Sequence, residues 1–252
     1  MNASHQRTQN AAKDRLYQAY VRSGQAPTLT TIAPTGSELF RLNRPYVDKV
    51  IRPLLPAQTD ARIVDLGCGN GCYLYHAKQY GYTNLLGVDT SAEQVALAHQ
   101  IGLTEVRQQN IDSFLATYRQ PTDLVLLMDV LEHLTLSETL ALLDAVYALL
   151  KPGGRVLIHV PNAEGIFGMR VRYGDLTHEQ CFTPSSMRQL LQTVGFRQPV
   201  CYEDKPVVFG LMSLVRRVIW ELTTLRYRLM LLAETATRGA ILSQNMLVVA
   251  TK

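Results

Sequence analysis

The chain has 252 residues, with 25 Lys+Arg against 21 Asp+Glu and 47% hydrophobic residues, a globular profile that excludes a disordered tail, a linker or a fibre. At roughly 100–200 residues per domain the length fits one large domain, or one domain with an elaborated insertion, that buries a core without disulfides. The net charge of +4 is too small for a nucleic-acid wrapper, so nucleic acid is not an expected partner.

No apolar run follows a basic start near the N-terminus, so no secretory leader is expected and the chain is read as cytoplasmic. Cys68, Cys72, Cys181 and Cys201 form no CxxC pair, which argues against a zinc ribbon or a disulfide framework and predicts reduced, mostly buried thiols. No apolar run reaches the about 18 residues that span a bilayer.

Residues 12–23 read as a short helix carrying Tyr17 and Tyr20, 24–36 as a polar loop, and 38–55 as helix interrupted by Pro45 and Pro53. From Ala61 short apolar runs alternate with helical patterns: 61–66, 84–89, 105–109, 123–129 and 155–160 read as strands. Such alternation predicts an α/β fold with a parallel sheet and helices on both faces. Thr90 with Glu93, and Thr135 with Glu138, match the capping box, and Thr183-Pro184 gives an N-cap followed by Pro. The helix from about Leu136 is expected to stop at Lys151-Pro152-Gly153-Gly154. Two late strands, 197–203 and 245–251, enclose about forty residues that a plain hairpin does not need. The expected divisions are an N-terminal helical lid (1–60), a core (61–204), a basic amphipathic helical insertion (205–242) and a last core strand (243–252).

The sharpest motif is Val64-Asp65-Leu66-Gly67-Cys68-Gly69-Asn70-Gly71. Its glycines allow a tight strand-to-helix turn in which backbone approaches a ligand at the carboxyl edge of the sheet. Asp89 ends the second strand, placed to accept both hydroxyls of a ribose. Cys72 stands where the dinucleotide pattern wants Gly or Ala. Asp65 would repel a pyrophosphate but pair with an ammonium, which favours S-adenosylmethionine (SAM) over NAD.

VDLGCGNG, GVDTS, DLVLLMDVLEHL and LLKPGGRVLIHVPN together resemble class I SAM-dependent methyltransferases over about residues 61–203. The resemblance implies a Rossmann-like seven-stranded sheet with the last strand antiparallel. It also implies that Asp65, Gly67 and Gly69 hold the methionine end and Asp89 the ribose, that Asn110 and Ile111 flank the adenine, and that Met128 and Asp129 lie under the sulfonium. Asn110 replaces the Asp common there, but an amide can still pair with the exocyclic amine.

Asp129, Glu132 and His133 fall at i, i+3 and i+4, so one helical turn would gather them on one face, with His178 and Glu179 on the same sheet edge. Three readings stand side by side. His178 or His133 is a general base oriented by Asp175 or Glu132; Glu132, His133 and His178 ligate a divalent metal such as Mg²⁺; or these residues are structural. The layout resembles the metal site of small-RNA 3′-terminal ribose methyltransferases and ubiquinone-pathway O-methyltransferases, with Asp129 in place of the usual Glu.

The stretch 161–196, with Tyr17, Tyr20 and Ser243-Gln244-Asn245, resembles a bacterial subgroup linked to polysaccharide and lipopolysaccharide assembly. That implies O-methylation of a sugar or glycan hydroxyl, with Arg170 and Arg172 near the centre as candidate anion contacts. Acceptance of a phenol or quinone precursor or an RNA ribose, and a non-catalytic SAM-binding role, are the alternatives. Segment 205–242 holds six basic residues against two acidic. Leu211, Leu214, Val215, Val218, Ile219, Leu222, Leu225 and Leu229 recur there at helical spacing beside Trp220 and Tyr227. It is read as a cap over the acceptor pocket with solvated arginines, as a dimer contact, or as a helix (211–232) lying on the inner membrane face. The oligomeric state is left open.

Overall fold

A computed structural model describes residues 35–252, together with Leu16. Apart from Leu16, the expected helix over 12–23, with Tyr17 and Tyr20, lies outside the described residues, as does most of the 24–36 loop. Seven strands form one sheet: β1 (Arg62–Leu66), β2 (Asn84–Asp89), β3 (Val106–Gln108), β4 (Thr122–Met128), β5 (Leu150–Pro161), β6 (Arg197–Glu203) and β7 (Asn245–Thr251). Their order is β3-β2-β1-β4-β5-β7-β6. β1 to β5 are mutually parallel, and β7 runs antiparallel to both β5 and β6.

Alternate strand residues feed two cores. Val64, Leu66, Val125, Leu127 and Ile158 pack with Leu142, Val146 and Leu191 on one face. Ile63, Leu124, Leu126 and Leu157 pack with Leu74, Val95 and Ile51 on the other. Burial on both faces is why the central strands read as unbroken apolar runs. The covering helices are α1 (Cys72–Gln79), α2 (Ala92–Gln100), α3 (Ile111–Thr117), α4 (Leu136–Leu149), α5 (Gly168–Arg172) and α6 (Pro184–Val194).

Thr135 closes the expected capping box with Glu138, and Thr183 caps α6 ahead of Pro184. The cap of α2 is Ser91, not Thr90. Lys151-Pro152-Gly153-Gly154 is not a loop outside the sheet. α4 ends at Leu149 and β5 begins at once, with the Pro-Gly-Gly run absorbed as an irregularity between the pairs Thr122–Leu150 and Leu124–Arg155. The leading segment is a short helix, Gly36–Leu39, followed by one unbroken helical run, Arg44–Tyr46, Val47–Ile51 and Arg52–Leu54, in which Pro45 sits in the first turn and Pro53 in the last. The cysteines are free thiols, but only Cys68 is buried; the other three are half-buried.

The insertion is one helix, α7 (Leu211–Thr235), and its polarity is reversed from expectation. The side facing the body carries Ser213, Trp220 and Thr224 with an ionic network in which Arg228 meets Glu203 (2.7 Å) and Glu221 (3.3 Å). Arg217 and Lys205 also reach Glu221 (2.9 and 3.2 Å). Half of the segment's basic residues are therefore neutralised rather than solvated. No helix among the described residues is long and apolar enough to cross a membrane.

Candidate active site

β1 delivers the chain into a turn that only glycines enter without strain, with φ of +76° at Gly67, +53° at Gly69 and +78° at Gly71. A Cβ on Gly67 would come within 2.8 Å of Val130 Cγ2. The turn is tied to β2: the amides of Gly67 and Cys68 donate to the Val88 carbonyl (2.9 and 3.0 Å). The Asp89 carboxylate accepts from the amides of Gly69 and Ser91, both at 2.8 Å. Asp89 thus clamps the glycine loop from behind, and its remaining lone pairs are what it can offer a ligand.

In front of the loop lies a cavity of about 310 Å³ whose walls include Asp65, Gly67, Gly69, Tyr73 and Met128, with Leu39, Phe40 and Asn43 from the leading segment. Asp65 is fully buried and neither carboxylate oxygen has a hydrogen-bond partner. Burial, reinforced by Asp89, pushes its pKa up to about 8. An unpartnered buried carboxylate on a cavity wall can receive a cationic donor group. Of the residues expected to hold the cofactor, Asp65, Gly67, Gly69 and Met128 line this cavity, whereas Asp89, Asn110, Ile111 and Asp129 do not. Asn110 caps α3 by accepting from the Asp112 amide at 2.8 Å, and Ile111 packs against the core. Leu39, Phe40, Asn43, Tyr73 and Gln94 complete the walls, and no motif in the sequence marks them.

The second constellation differs from the single helical turn predicted. Asp129 has φ of +58°, and the turn begins only at Leu131–His133. The left-handed residue aims the Asp129 carboxylate at His159 on β5, whose Nδ1 lies 2.6 Å away. His159 Nε2 is 3.3 Å from Asp204. Sequence reading missed His159 because, inside the RVLIHV run, it looks like any strand residue.

Glu132, His133 and His178 do converge, with ligand atoms within 4.8 Å of one another. Thr177 Oγ1 spends its hydrogen on Asp175 (2.7 Å), so at 2.9 Å from His133 Nδ1 it accepts. His178 Nδ1 can only donate to the Val171 carbonyl, at 3.0 Å. Both imidazoles therefore carry their lone pair on Nε2. Asp175 orients His133 through Thr177, whereas His178 is oriented by backbone and not by Asp175 or Glu132. Glu132 is buried with Oε2 unpartnered, and burial, then the Asp129 charge, push its pKa up to about 8. Glu179 joins through its backbone, its amide donating to the Glu132 carbonyl at 2.6 Å. Arg172 is held by the Glu179 carbonyl (3.0 Å) and over the Tyr173 ring.

A profile of the methyltransferase domain matches residues 38–198, and the chain belongs to that family. No curated protein matches it. Among solved structures, it resembles a SAM-dependent methyltransferase from Archaeoglobus fulgidus, at 23% identity and TM-score 0.63, over 86% of this chain and 97% of that one. An S-adenosylmethionine-dependent methyltransferase from Mesorhizobium loti aligns at 21% identity and TM-score 0.53, over 80% and 95%. Haemonchus contortus phosphoethanolamine N-methyltransferase 2, solved with S-adenosyl-L-methionine, aligns at 18% identity and TM-score 0.56, over 83% and 52%. The shared architecture is the class I methyltransferase fold.

Proposed function

We propose that the protein is a SAM-dependent O-methyltransferase acting on a sugar or glycan hydroxyl. The observation that carries this reading is the buried, unpartnered Asp65 carboxylate in the glycine-loop cavity, joined along Met128-Asp129 to the Glu132, His133 and His178 cluster. Asp65 receives the ammonium of the methionine moiety, the glycine loop lets backbone approach it, and Asp89 meets the ribose. Leu39, Phe40 and Asn43 of the leading segment wall the cavity and cover the bound cofactor. The sugar assignment rests on the likeness of residues 161–196 to the polysaccharide-linked subgroup.

Transfer is an in-line displacement. The acceptor oxygen bonds the methyl carbon as the carbon–sulfur bond breaks, the sulfonium leaves as a neutral thioether, and the hydroxyl proton passes to His178 Nε2. A hydroxyl needs such a base because its own pKa lies far above neutrality, and an imidazole with its lone pair on Nε2 can take the proton. His133 and Glu132 flank the same point.

The unpartnered Glu132 Oε2 favours a second reading. One carboxylate oxygen and two imidazole Nε2 atoms in one cluster fit a divalent cation such as Mg²⁺ or a transition ion. Bound there, the cation would supply Lewis acidity to a coordinated hydroxyl. Following SAM consumption with nucleotide sugars and glycan acceptors, with and without EDTA, tests both. Turnover insensitive to EDTA selects the base, EDTA-sensitive turnover restored by Mg²⁺ selects the metal, and no turnover on any glycan acceptor rejects the sugar assignment.

A further inference from the structure

We propose that a second cavity, of about 310 Å³, between the leading segment, residues 204–209 and the start of α7 is the acceptor site, and that it takes a sugar ring bearing a carboxylate or phosphate; this rests on the O-methyltransferase reading above. Its position fits. The segment from Leu39 to Tyr46 partitions the two cavities, with Leu39, Phe40 and Asn43 facing the first and Leu42, Pro45 and Tyr46 the second. Asp204 lines the second cavity and contacts His159, which contacts Asp129, so a chain of side-chain contacts links this cavity to the end of β4. The volume is at the lower end of small-ligand sites.

The lining chemistry selects the ligand. Phe167 and Phe209 are 58% and 62% exposed and stand with Trp220 on one cavity, apolar faces suited to the C–H side of a pyranose ring. Trp220 Nε1 is buried without an acceptor, a donor that an oxygen-rich ligand satisfies. Lys205 is occupied by Glu203 and Glu221, whereas Arg216 lines the cavity with no ion pair among the described residues. A planar guanidinium in that position is matched to carboxylate or phosphate.

The test compares glucuronic acid, galacturonic acid and glucose 1-phosphate with glucose and galactose as acceptors. Wild type is expected to favour the anionic sugars at least about tenfold in kcat/KM. Arg216→Ala should erase that preference through KM with SAM affinity unchanged, Arg216→Lys should keep part of it, and Trp220→Ala should weaken all acceptors. Equal use of neutral sugars, or an Arg216→Ala preference like wild type, overturns the site. Saturation-transfer NMR of glucuronate on S-adenosylhomocysteine-loaded protein separates the two claims. Arg216-dependent binding without transfer keeps the site and rejects the sugar-methylation reading.

An independent observation concerns the outward side of α7. Leu211, Val215, Val218, Leu222, Leu225, Leu229 and Leu232 follow a 4-3 spacing without a break, the seam of a coiled coil, and all are between 42% and 76% exposed. We infer that α7 pairs with α7 of a second copy. At on the order of 100 Å² of apolar surface per side chain, the seam alone offers ~1,400 Å² across a pair, within the range of stable interfaces. Charge argues against a membrane surface as the occupant. Arg217 and Arg228 turn inward to Glu221 and Arg216 lines the cavity, leaving Arg226 as the one arginine of α7 on the apolar side. Sedimentation velocity should give twice the chain mass for wild type and a monomer for Leu222→Glu/Leu229→Glu with an unchanged circular dichroism spectrum. A wild-type monomer at micromolar concentration overturns the pairing, as does a monomer that co-sediments with phosphatidylglycerol vesicles.

Discussion

His159 Nδ1 stands 2.6 Å from Asp129 Oδ1, joining the end of β4 to β5 and, through Asp204, to the end of β6. Burial alone would depress the imidazole, but the carboxylates of Asp129 and Asp204 outweigh it and raise His159 well above its ordinary value. A histidine raised in the folded state stabilises fully below its unfolded pKa of about 6.5, and the contribution fades as pH rises through the folded value. Asp129→Asn should therefore lower the His159 pKa and cost most stability between about pH 4 and 6.5, where Asp129 is charged in the unfolded chain too. Thermal melts from pH 4 to 10 and the His159 ring protons by NMR check this; a wild-type-to-variant gap constant with pH contradicts it.

Asp65 is shifted in the direction opposite to a paired carboxylate, because burial, with the Asp89 charge beside it, holds it protonated up to about pH 8. The folded protein keeps a proton that the unfolded chain releases above about pH 4. That contribution to stability is lost as pH rises toward 8, and Asp65→Asn should be the more stable protein at the alkaline end. Pairing with a ligand ammonium needs the charged form, so SAM affinity should rise from pH 6 to 8. Asp65→Asn should flatten that rise and weaken binding by roughly 2–5 kcal/mol. Calorimetry across this range is the check, and a pH-independent wild-type affinity would count against the assignment.

Gly67→Ala places a side chain at φ +76° and within 2.8 Å of Val130 Cγ2. The backbone term alone is about 1–2 kcal/mol, so denaturant melts should show at least that loss together with weaker SAM binding. Unchanged stability would mean that the turn relaxes.

His178→Ala should reduce turnover by roughly 10²–10⁴ while leaving SAM affinity near wild type, since His178 does not line the first cavity. Single-turnover rates compared with cofactor titrations separate the two effects. Unchanged turnover removes both the base and the metal readings.

Most of the fold is legible because parallel strands buried on both faces leave continuous apolar runs, and the strands fall close to the predicted limits except β5, which begins at Leu150. The glycine turn is legible because Gly67, Gly69 and Gly71 meet a backbone requirement that few other residues satisfy. Asp129 misled because side-chain spacing assumes helical φ, and nothing local announces a left-handed aspartate. His159 and Asp204 were invisible because residues distant in sequence meet only once the sheet is assembled. α7 reads correctly as amphipathic, but its spacing alone does not say which side faces inward. That depended on Glu203, outside the helix, attracting Arg228.

The most direct test is to locate the transferred methyl group. Purified protein, ¹³C-methyl-labelled SAM and the uronic acid and sugar phosphate acceptors are predicted to give S-adenosylhomocysteine and sugar product in equal amounts, with the label on a sugar oxygen as a methyl ether. A label on nitrogen or carbon, or no sugar product across the acceptor panel, would contradict the account.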